Sequence, residues 1–215
     1  MLFLDELPEF HPQVLDALRQ PLESGETVIA RANHRITYPS RIQLIAAMNP
    51  CRCGRAGEPG YVCRLGRACA DRYQARISGP MLDRIDLQIE VPAVSAADLV
   101  LPQASEGSAE VRERVTVARR MQSARYEALG CIRMRTNSEC DGTLLEEIAA
   151  PESAGLTLLR DAADALSLSA RGYHRTLRVA RTLADLDGED RVARIHIAEA
   201  LSYRGETLRR AQAAA

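Results

Sequence analysis

The chain has no lysine, so all 28 of its basic residues are arginines. That absence rules out a G-x-x-x-x-G-K-[ST] phosphate loop within these residues, because the loop's lysine is what reaches the β- and γ-phosphates. Tryptophan is absent too, which excludes no function. No apolar run approaches the roughly 20 residues that cross a bilayer. Met1 leads into an acidic strand end where a secretory leader would carry a basic region. A cytoplasmic protein with no membrane partner is expected. Charge of either sign is not in excess, the formal net being -1, so any polyanion must be met by a local patch. Six cysteines without a leader point to free thiols or metal ligands rather than a disulfide framework.

What is present begins at once. Met1-Leu2-Phe3-Leu4 is a short apolar run closed by Asp5 and Glu6. In such a strand-end pair the first carboxylate can hold Mg²⁺ and the second can orient and deprotonate the water that attacks a γ-phosphate. The alternative is an acidic N-cap after a buried strand. Val14, Leu15, Leu18 and Leu22 then recur at helical spacing up to Ser24-Gly25. Residues 26–38 carry two β-prone runs either side of Ala32-Asn33-His34 and read as a hairpin. Residues 41–48 read as another strand, ending at Asn49-Pro50, where an amide beside the attacking water could polarise it, or simply form a turn. Two strands thus place polar groups at their C-terminal ends, where open α/β sheets bind ligands.

Residues 50–72 are rich in Gly, Pro, Arg and Cys and read as an irregular insertion. A short helix opening at Gly79-Pro80 and a third strand over Leu87–Val91 complete an α/β portion spanning residues 1–92. Residues 93–107 read as a linker. From 108 to 215 the pattern is helical, with runs at 108–129, 143–148, 152–166, 170–187 and 192–204. At 215 residues the chain accommodates one ordinary domain and a smaller one. A first strand starting at the initiating methionine suggests a chain cut from something longer.

Cys51, Cys53, Cys63 and Cys69 all fall in the insertion. Four soft ligands in a segment too poor in hydrophobes to make its own core suggest a structural Zn²⁺, with free thiols as the alternative.

The ordered block Ile77-Ser78-Gly79-Pro80-Met81-Leu82-Asp83-Arg84-Ile85-Asp86 is far less generic. With Leu2 to Phe10, Ile36-Thr37-Tyr38-Pro39, Ala46-Ala47-Met48-Asn49-Pro50, Leu168-Ser169-Ala170-Arg171 and residues 179–185, it resembles the magnesium-chelatase-like AAA+ ATPases of the YifB/ComM type, from Walker B onward. The resemblance implies a partial AAA+ P-loop NTPase core, parallel sheet with helices and a β-hairpin insertion, followed by an all-α lid domain. It implies ATP and Mg²⁺ as cofactors, with Asp5 and Glu6 as the Walker B pair, Asn49 as sensor 1 and Arg84 as an arginine finger acting on a neighbouring subunit of a ring, expected to be a hexamer. A guanidinium suits that role, being always charged and offering planar donors. The alternative for Arg84 is an ion pair with Asp83 or Asp86. Arg171 or Arg178 would be the sensor 2 arginine of the lid. The hairpin would enter the ring channel, where Arg31, Asn33, His34 and Arg35 could grip DNA without reading its sequence, or be ordinary exposed charges.

The resulting expectation is ATP hydrolysis coupled to DNA remodelling, as in ComM-like branch-migration helicases of natural transformation. The alternatives are a magnesium-chelatase motor subunit that remodels a protein partner, and a truncated, non-catalytic assembly module.

Overall fold

The computed structural model describes residues 1–31, 34–55, 63, 66–92, 94 and 106–204. The fold is mixed α/β with a small parallel sheet, consistent with a partial AAA+ core and a helical domain. Its residues fall into two compact units, Met1–Ile85 and Asp86–Ala215.

In the first unit, β1 (Leu2–Leu4) pairs in parallel with β4 (Leu44–Ala46), Leu2 opposite Leu44 and Leu4 opposite Ala46. Alternation sends Leu4 and Leu44 toward a core of Leu7, Leu15, Ile77, Met81 and Leu82. It leaves Phe3 and Ile45 on the other face, 60% and 43% exposed. Between the paired strands run a single 3-10 turn at Leu7–Glu9, α1 (Pro12–Ala17), α2 (Arg19–Ser24) and a hairpin of β2 (Glu26–Arg31) and β3 (His34–Pro39). One helix was expected from the apolar spacing, but two form. Pro21 has no N–H to give the carbonyl of Ala17, so the ladder breaks at Leu18. The Cys-rich segment is not irregular throughout, because α3 (Arg67–Gln74) closes it. A one-turn helix, α4 (Gly79–Leu82), follows Ser78.

The expected third strand at Leu87–Val91 does not form. Among the described residues no strand pairs with it; Gln88 N–H donates to the Tyr203 carbonyl at 2.7 Å, within the second unit. That unit consists of α5 (Ser108–Ala128), a 3-10 turn at Asn137–Glu139, α6 (Gly142–Ile148), α7 (Ser153–Ala165), α8 (Ala170–Leu186) and α9 (Arg194–Ser202). α8 is its axis. Leu177, Ala180 and Ala184, spaced three and four apart, meet α5, α6 and α9 around Tyr126, Leu145, Leu159, Val192 and Ile197.

A buried polar network crosses this core. The Asp185 carboxylate accepts from Gln122 Nε2 (3.1 Å), Arg125 Nη1 (3.2 Å), Asn137 Nδ2 (2.8 Å) and Arg181 Nε (3.1 Å), and Tyr126 donates to Asn137 Oδ1 at 2.9 Å. Arg181 also donates to the carbonyls of Glu189 and Asp190, which closes the C-terminal end of α8. Burial lowers the Arg181 pKa, with the Asp185 charge working against it. Among the described residues no helix is long and apolar enough to cross a membrane.

Candidate functional site

The acid pair sits where β1 ends. Asp5 Oδ1 accepts the Glu6 N–H at 2.9 Å, and Glu6 takes a left-handed backbone, φ 49° and ψ 49°, as it turns the chain into the 3-10 turn. A left-handed conformation costs a side-chain-bearing residue about 1–2 kcal/mol, so the surrounding contacts must hold it. They do so across the sheet: Ala47 N–H donates to the Leu4 carbonyl at 2.9 Å and Leu7 N–H to the Ala47 carbonyl at 3.0 Å. Asn49 follows two residues beyond that pairing, past the end of β4. Asp5, Glu6 and Asn49 are all exposed, at the same end of two parallel strands.

α3 flanks this end. Tyr73 is buried, and its phenol is pushed up in pKa first by that burial and then by the charges of Glu9 and Glu6. Gln74 Nε2 donates to the Pro50 carbonyl at 3.0 Å, and Arg76 Nη1 to Glu9 Oε2 at 3.1 Å. The donor set fits a hard cation with a polyphosphate: two exposed carboxylates, an exposed amide and no soft ligand among them. Neither Tyr73 nor Gln74 was marked from sequence, although Cys69, Tyr73 and Ile77 repeat at helical spacing.

Arg84 is only 7% exposed. Its Nη1 donates to the Pro80 carbonyl at 2.7 Å and its Nη2 pairs with Glu23 of α2. A carboxylate 61 residues away thus meets it. Asp86, named as an alternative partner, pairs with Arg175.

The two lid candidates differ sharply. Arg178 Nε donates to the Cys140 carbonyl at 2.8 Å and its Nη2 lies 3.2 Å from Asp141. Arg171 is exposed in the first turn of α8, which Ser169 caps by accepting the Gly172 N–H at 3.0 Å. At the hairpin, Arg31 pairs with His34 and Ala30 with Arg35, all exposed. Asn33 lies outside the described residues. Ile29, Ile36 and Tyr38 share the Arg31–His34 face and are exposed as well.

Three of the four clustered cysteines converge. The Sγ atoms of Cys51, Cys53 and Cys69 all lie within 4.8 Å of one another, and Cys63 Sγ is 3.7 Å from Cys53 Sγ.

The class is set by the fold: a partial AAA+ core with exposed acids and an amide at its strand ends, and a separate helical domain. The family follows from comparison. Residues 1–99 match the family described as magnesium chelatase, subunit ChlI, and residues 105–204 match its C-terminal counterpart. Together these cover most of the chain, which belongs to this AAA+ ATPase-like family. Similar curated proteins include the competence protein ComM of Haemophilus influenzae, 46% identical over 212 residues, and the uncharacterized protein YifB of Escherichia coli K12, 42% over 205. The uncharacterized protein Mb2921c of Mycobacterium bovis is 42% identical over 210 residues. The matches take in 95%, 95% and 98% of this chain but only 38%, 39% and 41% of those proteins, so the chain spans about two fifths of their length.

Proposed function

We propose that this chain is the later portion of a ring-forming AAA+ ATPase that couples ATP hydrolysis to DNA remodelling, a ComM-like branch-migration helicase of natural transformation. One observation carries the reading: the parallel register of β1 and β4, which brings Asp5, Glu6 and Asn49 to one strand end. ATP and Mg²⁺ are the cofactors. Asp5 would hold the metal, whose bound charge neutralises the phosphate oxygens. Glu6 takes the proton of the attacking water and Asn49 orients that water. Arg84 supplies positive charge to the neighbouring subunit's γ-phosphate, leaving Glu23 to do so. Arg171 is the first candidate for the lid arginine and Arg178, which meets the Cys140 carbonyl and Asp141, the second.

The ring is a hexamer, and its hairpins line the channel. Exposed Arg31 and Arg35 supply cationic contacts to a phosphate backbone and exposed His34 a polar one, with Asn33, outside the described residues, as a further candidate. The competence-protein name of the Haemophilus influenzae relative supports DNA as the substrate. The family description favours a second reading, a chelatase motor that acts on a protein partner. DNA binding separates the two. On the DNA reading, Arg31→Ala with Arg35→Ala weakens binding and lowers the slope of log K against log salt by about 0.9 per lost phosphate contact on duplex DNA. No DNA binding by the assembled protein would favour the chelatase reading. A G-x-x-x-x-G-K-[ST] reading frame upstream of Met1 would supply the phosphate loop that these 215 residues lack.

A further inference from the structure

Two short turns in the Cys-rich segment are built alike. Cys51-Arg52-Cys53-Gly54 closes with Gly54 N–H donating to the Cys51 carbonyl at 2.9 Å, and Gly66 N–H donates to the Cys63 carbonyl at 2.8 Å. Each turn ends in a glycine at positive φ, +77° at Gly54 and +56° at Gly66, a conformation that disfavours other side chains. The first turn carries Cys51 and Cys53. The second starts at Cys63 and leads into α3, where Cys69 N–H reaches the Gly66 carbonyl at 3.3 Å.

The turns bring the sulfurs of Cys51, Cys53 and Cys69 together, with Cys63 beside Cys53. Cys51 and Cys69 are buried yet belong to neither hydrophobic cluster of the chain. Cys51 Sγ and Cys53 Sγ are 2.8 Å apart, too far for a disulfide bond. A tetrahedral Zn²⁺ with Zn–S bonds of about 2.3 Å needs sulfur–sulfur edges of about 3.8 Å. The Cys53–Cys63 spacing of 3.7 Å matches such an edge, and the three-sulfur group within 4.8 Å matches a single ion rather than a larger cluster. Metal entry would spread the Cys51–Cys53 pair by about 1 Å. The set is all thiolate, which selects Zn²⁺ over the hard cation suited to Asp5 and Glu6.

We propose that Cys51, Cys53, Cys63 and Cys69 form a tetrathiolate Zn²⁺ site that clamps the end of β4 onto α3 and so positions Asn49. Cys51 lies two residues after Asn49, and Gln74, on the helix that bears Cys69, already holds the intervening Pro50 carbonyl. Zinc binding itself is independent of the ATPase reading; the importance of fixing Asn49 rests on it. Asn49 is a residue positioned by the site, and the four cysteines are not catalytic.

The test uses the 215-residue chain purified under reducing conditions, with zinc measured by elemental analysis and by release to a metallochromic dye on mercurial addition. One zinc per chain is expected, with loss of stoichiometric zinc in Cys69→Ser. Co²⁺ added to stripped wild-type chain should give the intense visible bands of tetrahedral cobalt thiolate, a readout that survives if the variant fails to fold. No zinc together with a colourless cobalt titration overturns the site, as does a native mass two protons low from a Cys51–Cys53 disulfide or an iron–sulfur chromophore. Amide exchange tests the clamp. Removing zinc should speed exchange several-fold in residues 44–50 and 69–74 and leave residues 108–204 unchanged; unchanged exchange at residues 44–50 would overturn the positioning role while leaving the ATPase reading standing.

Discussion

Replacing Asp185 by asparagine keeps its shape and removes its charge. The carboxylate is buried and accepts from two guanidiniums and two amides, so Asp185→Asn leaves Arg125 and Arg181 without their shared anion and turns an amide NH₂ toward other donors. Arg125 can swing toward solvent, its side chain being 19% exposed, whereas Arg181 at 1% cannot. Breaking a buried pair by removing one partner costs about 3–5 kcal/mol, and the asymmetry here favours the middle of that range. With roughly 2–8 °C lost per kcal/mol for domains of about 60–250 residues, the second unit should melt on the order of 10–20 °C lower. Urea denaturation followed by far-UV circular dichroism gives the free energy directly. Arg125→Met should cost less, because Asp185 keeps Arg181. A loss under about 1 kcal/mol for Asp185→Asn would refute the reasoning, since it would place the carboxylate among surface ion pairs in energetic terms.

Glu23→Gln removes the carboxylate that holds Arg84, so Arg84 should react several-fold faster with an arginine-selective dicarbonyl, read by peptide mass spectrometry; an unchanged rate contradicts the pairing. Asp141 has its pKa lowered, chiefly by the Gly142 N–H and, against some desolvation, by Arg178 and His174. A depressed carboxylate stabilises the fold above its unfolded pKa and loses that contribution as pH falls through the folded value. Asp141→Asn should therefore flatten the loss of stability below about pH 4 and leave the neutral-to-alkaline slope unchanged, as melting curves across pH would show.

The sequence exposes what is local or periodic. Leu2-Phe3-Leu4 before Asp5-Glu6, and the run before Asn49, mark two strand ends because apolar runs closed by polar groups have few other uses, and β1 and β4 do pair in parallel. The helices of the second unit follow from apolar spacing, and Ser169 caps α8 as its side chain type favours. Pro21 divides α1 from α2 against the apolar periodicity that runs through both. Leu87–Val91 has strand composition, yet a strand needs a neighbour, and nothing in those residues says that none is there. The left-handed Glu6 was not legible, because the hydrogen bonds that hold it, Ala47 to Leu4 and Leu7 to Ala47, run across the sheet between residues about 40 apart in sequence. Nor was Glu23 as the partner of Arg84, which chain folding brings together over 61 residues. The two glycine-closed cysteine turns, by contrast, stood in the sequence as Cys51-Arg52-Cys53-Gly54 and Cys63 to Gly66, obscured by their unusual cysteine spacing.

On the proposed function, Asp5, Glu6 and Asn49 are the hydrolytic half of a nucleotide site. The most direct test is a chimera in which the preceding portion of the Haemophilus influenzae relative, expected from the family resemblance to carry the phosphate loop, is joined ahead of Met1. ATP turnover and ATP affinity are then compared for the parent and for Glu6→Gln. Retained affinity is expected, with turnover lowered by about 10²–10⁴-fold, the contribution of a general base. Turnover in Glu6→Gln equal to the parent's would contradict that role.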